Sequence, residues 1–370
     1  MKYPIRVLQV FSRMDRGGSE SIIMNFYRNI DRSKVQFDFV VHTNEKCAFD
    51  EEIEALGGKI HRMPRYNGKN HFLYLLRWKK FLQEHNEYKV IHGHYFTISA
   101  IYFWMARKYN RICVAHSHSD YNNKGIKILQ YKKLLTFPIR FIANYLFACS
   151  KSTGLWLYGQ RSLEKKKFFI LKNAIDSEKF TFDSKIREQK REELNISDKF
   201  VLGHVGSFSI AKNHDFLIDV FKKVHNKNKQ AVLLLIGDGF LRSSIEEKVK
   251  ELGLSGSVIF TGIRSDISDL LQAVDLFVFP SLFEGLPVSV IEAQAAGLPC
   301  LISDTITEEV IVTNLVESLS IDEIDKWSEN ILNYSIRDNG RNTSKDIKYN
   351  GYDIIESTEW LEKFYIDQHN

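Results

Sequence analysis

From Leu276 to Ile302 the chain reads LFVFPSLFEGLPVSVIEAQAAGLPCLI. The apolar run Leu276–Phe279 has the length and composition of a buried strand. Pro287 suits the first turn of a helix, where its fixed φ is already helical and its missing N–H forfeits no bond. A second short apolar run, 299–302, follows that helix. Strand, helix and strand in this order are the repeating unit of a parallel sheet covered on both faces.

The unit recurs in both directions along the chain. Upstream in the same half, strands are expected at 200–205, 232–236 and 258–260. The first half repeats the rhythm, with strands expected at 5–10, 37–41, 59–63, 90–92, 112–115, 145–148 and 168–171. Helical stretches at 19–30, 72–84, 98–108 and 127–144 lie between them, with apolar residues recurring at three and four. The fold class is therefore α/β, with two doubly wound Rossmann-like domains. Residues 1–175 form the first and 176–370 the second. The polar stretch 176–199 includes the linker, and there is room for the C-terminal helix to pack back on the first domain. Two such domains leave an interdomain cleft facing the carboxyl ends of their strands, where ligands bind in this architecture.

With 44% hydrophobic and 26% charged residues in 370, the chain has an ordinary globular composition. No run reaches the roughly 20 apolar residues that span a bilayer, and the start lacks a signal-peptide pattern, so a cytoplasmic location is expected. Cys47, Cys113, Cys149 and Cys300 form no C-x-x-C pair and read as small buried hydrophobes. The charge is uneven. Residues 1–175 carry 30 Lys and Arg against 13 Asp and Glu, whereas residues 176–370 carry 21 against 33. A basic half suits an anionic membrane or a phosphorylated substrate. No nucleic-acid-binding motif accompanies the charge, and nucleic acid is not expected as a partner.

The residues suited to chemistry follow the strands. Gly17 and Gly18 open a helix after the first strand, where first-turn amides attract anions. The third glycine of a dinucleotide fingerprint is missing, so the alternative is a capped turn without ligand. His92 and His94, then His116 and His118, stand two apart at the ends of two strands. They lack an H-E-x-x-H spacing or a nearby Glu or Cys, so a metal is not expected there. In the second half, Gly206 and Ser207 follow a strand, and Lys212 begins a helix as a compact cation at a phosphate-binding position. Gly237 and Gly239 end the next strand. Glu284, with Gly285 and Leu286, leads into the helix of the opening stretch, and Glu292 lies more than a turn inside it. Two carboxylates that accept from hydroxyls, beside helix-end amides that hold a diphosphate, suit a sugar nucleotide.

The chain resembles the retaining GT-B glycosyltransferases of family 4, the "glycosyl transferases group 1", over nearly its whole length. The resemblance rests on the GGSE loop, the strand ending at His116, the segment from Asn173 to Phe180, Lys212, LLLIGDG, FTG at Phe260 to Gly262, and above all the Glu284 and Glu292 pair. Bacterial capsular and exopolysaccharide enzymes look especially similar. What the resemblance implies is specific. Lys212 would contact the donor diphosphate, Glu284 the donor sugar and Glu292 the ribose, with Glu309 as the acid after the next loop. His116 would stand near the reacting sugar, with His118 the lesser candidate. Many relatives carry an arginine where this chain has Ser207, so Arg264 or helix-end amides would share the load with Lys212.

The expected activity is retaining transfer of a hexose from a UDP- or GDP-sugar to a lipid-linked saccharide acceptor, at the inner face of the cell membrane. The sequence holds no Asp-x-Asp, and a metal-independent mechanism without cofactor is expected, positive protein groups meeting the charge that grows on the leaving diphosphate. Lys124, Lys127, Lys132, Lys133 and Arg140, among Leu134, Leu135 and Phe137, read as an interfacial helix for an anionic membrane. The competing reading is a non-catalytic subunit that binds sugar nucleotide beside an active transferase.

Overall fold

The computed structural model describes residues 4–118, 134–334 and 342–369. These divide into two compact units, the first made of 1–174 and 354–370 and the second of 175–353.

In the first unit seven parallel strands form one sheet: β1 (Ile5–Phe11), β2 (Val35–Val41), β3 (Ile60–Arg62), β4 (Val90–Gly93), β5 (Ile112–Ser117), β6 (Tyr145–Ala148) and β7 (Phe168–Ile170). Their spatial order is 3-2-1-4-5-6-7. β2 is buried along its whole length, as strands covered on both faces must be. Its one acid is fully satisfied. Asp38 receives the Arg6 guanidinium at 2.5 Å through both oxygens, the Tyr88 hydroxyl at 2.8 Å and the Lys59 amide at 2.6 Å. The C-terminal helix Ile354–His369 belongs to this unit and packs on the helix Gly18–Asn29 and on β1, β2 and β4. Tyr365 is its fully buried anchor.

The second unit holds six parallel strands: β8 (Phe200–Val205), β9 (Ala231–Ile236), β10 (Val258–Gly262), β11 (Leu276–Phe279), β12 (Cys300–Ser303) and β13 (Val316–Leu319), in the order 10-9-8-11-12-13. On the helix His214–Lys227, Leu217, Ile218, Val220, Phe221 and Val224 are buried, a stripe at helical spacing that faces the sheet. β13 escaped the sequence reading because VESL exposes two of its four residues at the sheet edge. Residues 176–199, expected to include the linker, form two helices of this unit, Ser177–Phe180 and Ser184–Glu193. Asp183 caps the second by accepting from the amides of Lys185 and Ile186. The charged composition of that stretch reflects an exposed helix face.

In each sheet the strand order reverses once, between β1 and β4 and between β8 and β11. Loops leaving the two strands at such a reversal diverge to opposite faces and open a crevice. Residues 127–133 of the expected helix 127–144 lie outside the described residues; the described remainder is not one continuous helix but is broken by a turn at 137–138 before the short helix Ile139–Ile142.

Candidate active site

The crevice of the second unit is built from the loops after β8 and β11. The first runs through Gly206 and Ser207 into a short turn of 3-10 helix, Ile210–Lys212, and then Asn213 takes a left-handed φ of 53° before the helix His214–Lys227 begins. This turn carries the Lys212 side chain back over its own loop, where a Cβ on Gly206 would lie 2.9 Å from Lys212 Cε. The second loop carries Glu284. The two side chains meet, with Lys212 Nζ 2.6 Å from Glu284 Oε1. The ammonium also sits 4.4 Å from the centre of the Phe279 ring, at the end of β11. Although close, the pair is not aligned as a hydrogen bond, and Glu284 Oε1 is buried with no donor among the described residues. Phe279 was missed by the sequence reading, which took it only as a strand residue.

Gly237 and Gly239 have a packing reason that spacing alone did not indicate. Gly237 has φ 139°, and a Cβ there would lie 2.1 Å from the Gly206 carbonyl oxygen; one on Gly239 would lie 2.6 Å from that of Phe208. The glycines let the loops after β8 and β9 touch backbone to backbone. Ser207 is exposed, and its hydroxyl donates to Ser209. His214 stacks on Phe208 at 4.1 Å; burial first, and the charge of Lys212 second, hold its pKa down to about 4, so it stays neutral beside the lysine.

Pro287 precedes the helix Val288–Ala295 as its cap residue, with Gly285 and Leu286 buried in the loop before it. Glu292, on that helix, is half-buried. No ion pair to it is found among the described residues, and burial pushes its pKa up to about 7. Gln294 is a further positioning residue. Its amide donates to the carbonyls of Val290 and Val310, and its oxygen accepts from the amides of Val312 and Thr313. It thus ties the segment of Glu309 to the helix of Glu292. Arg264, expected to assist Lys212, is already engaged: it holds Asp266 through two bonds of 2.6 and 2.7 Å and approaches Glu193 at 3.4 Å.

In the first unit, the helix after β1 begins at Gly18 with Gly17 as its cap residue and no side-chain cap. The place expected for an anion is contested by the chain itself. A Cβ on Gly17 would lie 2.4 Å from Glu20 Oε2, and Ser19 donates to the same oxygen at 2.8 Å. The four strand-end histidines come together. His116 is fully buried, whereas His118 is partly exposed. His118 Nε2 lies 2.7 Å from His94 Nδ1, and His94 Nε2 2.9 Å from Gln9 Oε1. His92 Nδ1 lies 2.6 Å from the Tyr365 hydroxyl. Burial holds all four well below the usual histidine range, so they are neutral at pH 7.

Two α/β units, with this pairing across the strand-order reversal of the second, fit the glycosyltransferase resemblance of the sequence. Comparison with known proteins agrees: residues 186–353 match the family model "Glycosyl transferases group 1" and residues 16–179 match "Glycosyltransferase Family 4". The chain belongs to this family of GT-B glycosyltransferases. It is 37% identical over 334 residues to a Bacillus subtilis protein described as "Putative glycosyltransferase EpsF", covering 88% of this chain and 86% of that one. It is 26% identical to the capsular polysaccharide biosynthesis glycosyltransferase CapH of Staphylococcus aureus, over 98% of this chain and 99% of CapH. A UDP-Gal:alpha-D-GlcNAc-diphosphoundecaprenol alpha-1,3-galactosyltransferase of Escherichia coli is 25% identical, with 77% of each chain covered. Among solved structures, Anabaena HepE in complex with UDP and glucose has a TM-score of 0.80 at 18% identity, covering 98% of this chain and 99% of HepE.

Proposed function

We propose that this glycosyltransferase moves a hexose from a UDP- or GDP-sugar, with retention and without a metal, to a lipid-linked saccharide acceptor in polysaccharide biosynthesis. The observation that carries the reading is the Lys212–Glu284 pair at the strand-order reversal. As the bond between sugar and diphosphate breaks, negative charge grows on the phosphate oxygens. A cation already fixed there stabilises the transition state more than the ground state. Lys212 would turn from Glu284 towards the diphosphate and free that carboxylate to accept from hydroxyls of the sugar. Glu292, without a cation of its own among the described residues, suits the ribose diol. The acceptor hydroxyl would attack on the face the diphosphate leaves, giving an α-linked product from an α-linked donor. On the acceptor side His118, with exposed surface, is better able to meet a substrate than the enclosed His116.

The names of the relatives support the acceptor class, since one acts on a diphosphoundecaprenol-linked sugar. Such a substrate would bring the protein to the inner face of a membrane as a peripheral protein. No helix among the described residues is long and apolar enough to cross a membrane. Leu134, Phe137 and Phe141 are exposed at 72%, 50% and 66%, and Arg140 stands over the Phe137 ring; Lys124, Lys127, Lys132 and Lys133 lie outside the described residues.

The second reading, a non-catalytic donor-binding subunit, draws on Ser207 in place of arginine and on Arg264 being held by its own acids. Incubation with labelled UDP- and GDP-sugars and a lipid-linked saccharide separates the two. The transferase releases nucleoside diphosphate and yields an α-linked product, whereas binding without release would favour the subunit.

A further inference from the structure

Of the four histidines at the ends of β4 and β5, His92, His116 and His118 each have a buried ring nitrogen that no group among the described residues meets. Adjacent parallel strands supply them, with His92 beside Val114 and Gly93 beside Ala115 in register. Gln9 Oε1 can only accept, so His94 Nε2 carries the hydrogen and Nδ1 the lone pair. Among the described residues His116 has no partner at either nitrogen, and His92 none at Nε2; these atoms are buried. Each such group, left unmet, is costly to bury. One nitrogen each from His92, His94 and His116 lies within 4.8 Å of the other two.

We propose that His92, His94 and His116 form a zinc site in the first unit, separate from the donor residues of the second. Neutral imidazoles, with no carboxylate in the cluster among the described residues, suit Zn²⁺ and disfavour Mg²⁺ or Mn²⁺. Zinc–nitrogen bonds of about 2.0–2.1 Å place ligand nitrogens roughly 3.3 Å apart, so rotation of the buried rings by a modest amount closes the site. The outer partners are in place. Tyr365 fixes the ring of His92 and Gln9 that of His94, the kind of bond that orients metal-bound histidines. Gln9 also donates to the Tyr365 hydroxyl at 3.3 Å, which links both ligands to the C-terminal helix. His118, part-exposed and paired with His94, marks the way in. On metal binding His94 Nδ1 would leave His118, and the fourth position would take His118 or water. The ion would brace β4, β5 and the C-terminal helix without taking part in departure of the diphosphate.

The test uses the full chain without a histidine tag, stripped of metal and titrated with Co²⁺, whose visible spectrum intensifies in a tetrahedral nitrogen site. Uptake of one Co²⁺ per chain with such bands, displaced by Zn²⁺, is expected. Thermal unfolding should move upward with Zn²⁺ and not with Mg²⁺. Tyr365→Phe, which keeps the ring and loses the hydroxyl, should weaken zinc binding by about 10–100-fold, and His92→Ala should abolish it. His225→Gln, in the second unit, should leave it unchanged. A Co²⁺ spectrum in the wild-type chain that stays that of the aqueous ion would overturn the proposal whatever the variants do, and so would uptake equal in wild type and His92→Ala.

Discussion

Lys212 and Glu284 stand 2.6 Å apart at the carboxyl ends of two neighbouring strands, 72 residues apart in the chain. Each neutralises the other while no donor is bound. Removing the cation should therefore cost more in turnover than in stability. Lys212→Ala is expected to lower turnover at least about 100-fold, the scale of one lost transition-state contact. Melting temperature should change less, because the space vacated by the Lys212 side chain lets water reach the otherwise buried Glu284 Oε1. Near-normal turnover in the folded variant would sink the assignment.

Glu292 sets a pH dependence of definite sign. Its carboxyl titrates near 7 in the folded chain against 4.5 when unperturbed, so the folded state holds this proton more tightly than the unfolded one. Stability from this group is thus lost as pH rises from about 4.5 through 7. Glu292→Gln should remove that loss and raise stability at pH 8 by on the order of 1–2 kcal/mol, after allowance for partial exposure. Donor binding should move the other way, weakening in the variant, and in the wild type it should weaken as pH falls below 7. Thermal unfolding at pH 5 and pH 8 checks the first point and calorimetric titration with the donor the second; equal pH slopes for wild type and variant would contradict it.

On the proposed mechanism, in which Lys212 and helix-end amides meet the leaving diphosphate, turnover should not need Mg²⁺ or Mn²⁺. Assays with both ions withheld and traces chelated should run at the full rate. A loss that Mg²⁺ or Mn²⁺ restores would refute this.

Asp275 supports the second sheet from below. It is buried and takes Arg187 at 2.5 Å, Arg191 at 3.3 Å and the Val201 amide at 2.8 Å. Asp275→Ala takes the counter-charge from two guanidinium groups, which keep only carbonyl acceptors, and the acceptor from the Val201 amide, and should cost about 3–5 kcal/mol of unfolding free energy. Chemical denaturation measures it, and a change below about 1 kcal/mol would contradict the role.

Membrane docking should need anionic lipid and fade with salt as screening grows. Replacing Leu134, Phe137 and Phe141 with serine should reduce vesicle sedimentation while leaving transfer to a soluble acceptor analogue. Equal recovery with neutral and anionic vesicles at low salt would end the docking idea and leave the transferase standing.

Periodicity alone was enough for most strands and for the α/β class, because burial on two faces demands continuous apolar runs such as AVLLLI in β9. The short motif around Glu284 and Glu292 was legible for the same reason: its parts lie within one loop and the helix that follows. Side-chain neighbours across the sheet were not legible, since β8 lies beside β11 only through a long-range strand order that local pattern does not encode. The partnership of Lys212 with Glu284, the enclosure of His116 with His118 left at the surface, and the Glu20 carboxylate over Gly17 arise only when distant segments pack. So does the seating of Tyr365 on His92, which joins residues 273 positions apart. Local propensity acts over a few residues, whereas burial, charge pairing and the orphaned histidine nitrogens depend on which segments exclude water together, and that is a property of the folded chain.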